Sequence, residues 1–288
     1  MFDPPVLFAL AVCAACAPSP NVGGVRFRPW LAVYLLATAA AVAAGAVTTV
    51  GLVALAALLG LAWQAHRAAG MARSALILLF AALAIALSMH SVPGVGKLAL
   101  HPAPRHASGA SAPTINIDVG KAGVDLLLFA LLVPRLSCVA DARRLWKPTL
   151  AIGVVGTALT AGTAMAMGYI RFEPKLPPGT IGFLVSNLLF ACIAEESVFR
   201  GLLQEQMHRL AERLQRPGLH AAAVMLSAGL FGAAHARWGL HYVVLATLGG
   251  ATNALAYAKA RRVEASAVTH FTLNAAHFIF FSDRMLAR

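Results

Sequence analysis

Apolar residues along this chain gather into long runs separated by short polar breaks. Several runs reach the roughly 17 to 25 residues that an α-helix needs to cross about 30 Å of hydrocarbon. The pattern predicts spans over Trp30 to Val47, Leu52 to Trp63, Ser74 to Met89, Val124 to Leu136 and Thr149 to Ile170. Four more follow over Ile181 to Leu203, Ala221 to Ala236, Leu240 to Ala258 and Ala265 to Phe281. An earlier apolar run ending at Ala17 lacks the basic start of a cleaved signal peptide and reads as a short first span or re-entrant piece. The expected fold is therefore all-α, a polytopic transmembrane helical bundle of about 8 to 10 membrane-spanning helices.

The polar breaks carry orientation. Arg26 with Arg28, Arg67 with Arg73, the group from Arg135 to Lys147, Arg209 to Arg216, and Lys259 to Arg262 occupy every second connection. Clusters of that kind stay cytoplasmic. The stretch from His90 to Asp118, rich in Pro, Gly, Ser and His, falls on the other side as an irregular external loop.

Composition agrees with a lipid solvent. The 288 residues are 59% hydrophobic and only 12% charged, more apolar surface than a soluble domain of this length buries. The net charge of +12 raises nucleic acid as a partner, but the basic residues sit in short clusters between apolar runs and not along one soluble face, so no nucleic acid is expected. Cys13, Cys16, Cys138 and Cys192 all lie in or beside apolar segments, and the single C-x-x-C has too few companions for a metal or redox centre. The alanine-rich chain points to a bacterial inner membrane.

Residues 181–283 hold most of the intramembrane polar groups and are expected to form the catalytic region, with 1–180 a transmembrane region of unknown role. Within Ile181 to Leu203 stand Glu195, Glu196 and Arg200. Ionised groups at membrane depth cost about 2.5 to 3.5 kcal/mol each on insertion scales and need partners. Glu196 and Arg200 are four apart and share a helical face, where they can pair. Glu195 points about 100° away and lacks that partner, a setting that suits general acid and base work. The same segment also fits two glutamates reaching water at the cytoplasmic end, with Arg200 snorkelling.

His235 follows Phe231 and a run of small residues. A hairpin folded at Arg216-Pro217-Gly218 brings His235 and Glu195 to the same depth, roughly 30 Å from the turn at about 1.5 Å per residue. His270 and Asn274 are four apart on another span, and both can donate to one point, as an oxyanion site requires. His277 continues their stripe and reads as a supporting or structural group.

These segments together resemble the CPBP family of intramembrane proteases, which includes type II CAAX prenyl endopeptidases. The family signature is E-E-x-x-x-R, F-x-x-x-H and H-x-x-x-N, and each part is complete here, as Glu195-Glu196 with Arg200, Phe231 with His235, and His270 with Asn274. The resemblance spans roughly Ile181 to Phe281. It implies that Glu195 and His235 activate a water, that His270 and Asn274 stabilise an oxyanion, and that Glu196 with Arg200 braces the site. The implied substrate is a membrane-associated or lipidated protein or peptide, cut without a metal. A Zn²⁺ held by Glu195, His235 and His270 is the mechanistic rival. A membrane binding or immunity protein and a proton-relaying transporter are the alternatives of other classes.

Overall fold

The computed structural model describes residues 3–17, 21–22, 25–99, 116–136 and 139–283. Their backbone forms 10 helices and three short antiparallel ladders, as an all-α membrane chain should. By contact the chain divides into two compact units, Met1–Leu132 and Val133–Arg288. That boundary falls ahead of the division into 1–180 and 181–283 drawn from the chemistry, because the helix that follows it packs on the motif-bearing helices.

The first unit holds α1 (Pro4–Cys16), α2 (Pro29–Ala43), α3 (Thr49–Arg67), α4 (Gly70–Ser88) and α5 (Val119–Leu127, continued as a π-helix over Leu128–Leu132). The early apolar run is thus a helix, entered through Pro4 and Pro5, where a missing N–H costs nothing. α1 packs along α2, with Phe8 edge-on to Tyr34 at 6.2 Å, and α3 packs along α4. A backbone ladder pairs β1 (Asn21–Val22) with β2 (Val25–Arg26). The stretch expected to be an irregular loop is closed at its base, where β3 (Lys97–Ala99) pairs with β4 (Asn116–Asp118). Asp118 then caps α5 by accepting the Lys121 N–H at 3.0 Å. Residues 100–115 of that loop, and Cys138, lie outside the described residues.

The second unit holds α6 (Val139–Ala166), α7 (Thr180–Arg213), α8 (Gly218–Ala234), α9 (Leu240–Ala260) and α10 (Val263–Phe280). α7 outruns its expected end at Leu203 by about 10 residues. Its last turns are charged and amphipathic, a pattern that an apolar-run reading misses. The turn at Arg216-Pro217-Gly218 forms where expected, with Gln215 in a left-handed conformation. Among the described residues, four helices are long and apolar enough to cross a membrane, namely α3, α4, α6 and α7. Large apolar side chains such as Ile181, Met225 and Leu78 stand exposed, as they do where lipid replaces water.

Small residues set the close contacts. A Cβ at Gly232 would overlap Thr247 Oγ1 and the Val243 carbonyl, so α8 and α9 approach as closely as they do because Gly232 has no side chain. A Cβ at Gly156 would likewise run into the Thr252 side chain, which fixes α6 against α9. β5 (Ile170–Phe172) pairs with β6 (Phe281–Asp283), tying the α6–α7 connection to the end of α10.

Candidate active site

α7 is not a regular helix where its carboxylates lie. Glu195 and Glu196 sit in a short α segment, Ile193–Glu196, between two π-helical stretches, Leu188–Cys192 and Ser197–Gln204. Wide turns of this kind rotate the side chains that follow them and occur often at functional sites. Here the two neighbouring glutamates take different environments, one half-buried and one sealed.

Glu196 and Arg200 are both fully buried, and their ion pair is 3.0 Å long. It is a charge contact whose N–H is not aligned on the oxygen, so each group relies on further partners. Arg200 donates to Ser227 Oγ at 3.1 Å and to the Gly250 carbonyl at 3.0 Å, and its guanidinium stands 4.9 Å from the Phe231 ring centroid. Glu196 Oε1 accepts from Asn253 Nδ2 at 2.9 Å, and Thr269 Oγ1 donates to Asn253 Oδ1 at 2.9 Å. The bonds around this pair reach four helices.

Glu196 does more than brace. His270 Nδ1 lies 3.0 Å from Glu196 Oε1. An ionised carboxylate only accepts, so Nδ1 carries the proton and Nε2 is the ring nitrogen left for the cavity. His235 is fixed similarly by its own helix: Nδ1 is 2.8 Å from the Phe231 carbonyl, which assigns it the proton and leaves Nε2 uncommitted. His235 closes the C-terminus of α8, and a short 3₁₀ turn over Ala236–Trp238 follows.

Glu195, His235, His270 and Asn274 all line one cavity of about 660 Å³. Glu195 makes no hydrogen bond or ion pair to the described residues. Asn274 Nδ2 donates to Asn187 Oδ1 at 3.2 Å, with Cys192 Sγ 3.8 Å away. Asn187 lines the cavity as well and was missed by motif reading. Its signal was an amide inside an apolar run, eight residues before Glu195 on the same helix. Asn253, Ser227 and Tyr242 were missed too. Tyr242 packs beside His235 with ring centroids 5.7 Å apart. His277 meets Asp283 at 3.2 Å, and both stand at the cavity's edge.

Residues 177–276 match the family of type II CAAX prenyl endopeptidases, Rce1-like. The matched segment covers α7, α8, α9 and most of α10, and includes Glu195, Glu196, Arg200, His235, His270 and Asn274. That match covers about a third of the chain, the part in which the motif residues lie. No curated protein and no solved structure matches the chain.

Among the described residues, no three His, Cys, Asp or Glu side chains gather closely enough to hold an ion, so Glu195, His235 and His270 as placed do not fit one.

Proposed function

We propose that this protein is an intramembrane endopeptidase in which Glu195, assisted by His235, takes a proton from a water that attacks a peptide carbonyl. The observation that carries this reading is the convergence of Glu195, His235, His270 and Asn274, from α7, the end of α8 and α10, on one cavity. Glu195 is a carboxylate with no bonded partner among the described residues, and His235 offers Nε2 to the same cavity. The proton then passes to the leaving amine as the C–N bond breaks, so hydrolysis proceeds without a covalent intermediate.

Charge grows on the carbonyl oxygen in the tetrahedral state, and His270 and Asn274 stabilise it. For Nε2 of His270 to donate, the ring carries a second proton, and its charge faces Glu196 across the 3.0 Å contact. The buried pair of Glu196 with Arg200 thus acts through His270, as an orienting support. Donors fixed before the reaction in a poorly solvated site each contribute about 2.7 to 4 kcal/mol to such a step.

The substrate is a membrane-associated protein or peptide. The test is a comparison of peptide termini in membrane fractions from cells carrying the wild type and Glu195→Gln. Wild-type cells should show a new terminus that the variant lacks at equal protein level. A biological effect that survives Glu195→Gln with no terminus changed would mean that the protein binds its partner and cuts nothing.

A further inference from the structure

The second unit has two unlike ends. At one end, the C-termini of α7 and α9 meet the N-termini of α8, α10 and α6. Arg261 bonds Glu205 and Glu212 at 2.9 and 2.7 Å, and the Val263 N–H donates to the Pro134 carbonyl at 3.1 Å. Arg209, Arg213, Arg216, Lys259 and Arg262 crowd the same end, with Arg143, Arg144 and Lys147 on the first turns of α6. The opposite end is formed by the β5–β6 ladder and the α8–α9 turn, and carries fewer cations, namely Arg171, Lys175 and Arg237. Basic connections are retained in the cytoplasm, so the crowded end is the cytoplasmic one.

The cavity belongs to the other end. Its walls include Trp238, Gly239 and His241 around the α8–α9 turn, Tyr169 and Ile170 from the start of the α6–α7 connection, and Asp283 past α10. Towards the basic end the interior is sealed by side chains that bond one another. Arg200 and Gln204 are fully buried, His208 is 2% exposed, and Gln204 Nε2 donates to the Ala254 carbonyl at 2.9 Å. Below them His208 and His220 meet through their Nδ1 atoms at 2.7 Å, and Tyr257 donates to Glu205 at 2.8 Å. A peptide approaching from the cytoplasm would have to break this chain of buried hydrogen bonds, each costly to leave unmade. One approaching from the far side meets the cavity's aromatic rim.

We propose that the cavity opens to the non-cytoplasmic side of the membrane, so that the substrate is an extracytoplasmic segment of a membrane-anchored or secreted peptide. The identity of the cut bond rests on the proteolytic reading above; the side on which the cavity opens does not. A soluble cytoplasmic tail is therefore a poor substrate for this chain.

Accessibility of single cysteines in intact cells separates the two questions, because labelling needs no activity. In a full-length background with Cys13, Cys16, Cys138 and Cys192 replaced, Trp238→Cys reports the rim and Ala246→Cys the cavity wall. Leu214→Cys and Lys259→Cys, both exposed, report the basic end. A charged, membrane-impermeant thiol reagent should label the first two in intact cells as fully as after permeabilisation, and the last two only after permeabilisation. Labelling of Leu214→Cys and Lys259→Cys in intact cells, or protection of both cavity positions until the cells are opened, would overturn the proposal. Two positions at each end keep the result readable if one variant fails to insert.

Discussion

The buried pair of Glu196 and Arg200 gives the sharpest physical prediction. Both side chains are fully buried and 3.0 Å apart, and at an effective dielectric of about 20 two unit charges at that distance attract by about 5 kcal/mol. Glu196→Gln keeps the shape and leaves the Arg200 charge sealed with Ser227 and the Gly250 carbonyl as its remaining partners. Removing one member of a buried pair costs about 3 to 5 kcal/mol, and that is the loss expected here. Arg200→Met should cost somewhat less than the pair alone suggests, because Asn253 and His270 still bond the Glu196 carboxylate. The double variant removes both charges and should recover part of the loss, giving a coupling of about 2 kcal/mol or more. The assay is reversible denaturant unfolding of the purified full chain in mixed micelles, for the wild type, the two single variants and the double variant. Additive losses, with coupling under about 0.5 kcal/mol, would show that the two groups do not depend on each other and would refute the reasoning.

Other outcomes follow from the same contacts. Glu195→Gln should unfold within about 0.5 kcal/mol of the wild type, since its carboxylate has no folding partner among the described residues, while cleavage falls by about 100-fold or more; equal activity in a peptide-release assay would remove Glu195 from the reaction. Asn274→Leu should lower kcat by about 100- to 1,000-fold with little change in KM, and a change confined to KM would make it a binding residue. Cleavage by the purified protein should persist after exhaustive chelation, and activity restored only by added metal would replace the glutamate mechanism. Tyr257→Phe, which loses one hydrogen bond to the Glu205 carboxylate, should destabilise by about 1.5 to 3 kcal/mol in the unfolding assay without altering KM.

Sequence alone determined the solvent, the class of fold and the four side chains that share the cavity. Those features are local: an apolar run needs only its own length to cross hydrocarbon, and a polar group inside such a run stands out against its neighbours. The hairpin at Arg216-Pro217-Gly218 was equally legible, because proline and glycine act on the backbone where they stand. Tertiary structure decided the rest. The two π-helical stretches that flank Glu195 and Glu196 leave no mark in residue type, since a wide turn is selected by what the helix packs against. That Glu196 holds His270 as well as Arg200 follows from α7 meeting α10, a contact between residues 74 positions apart. Asn187 and Asn253 became visible only when their amides were seen to meet Asn274 and Glu196. Pairing between distant side chains depends on how the helices approach, and that approach is set by shape at positions such as Gly232 and Gly156, where the decisive feature is the side chain that is missing.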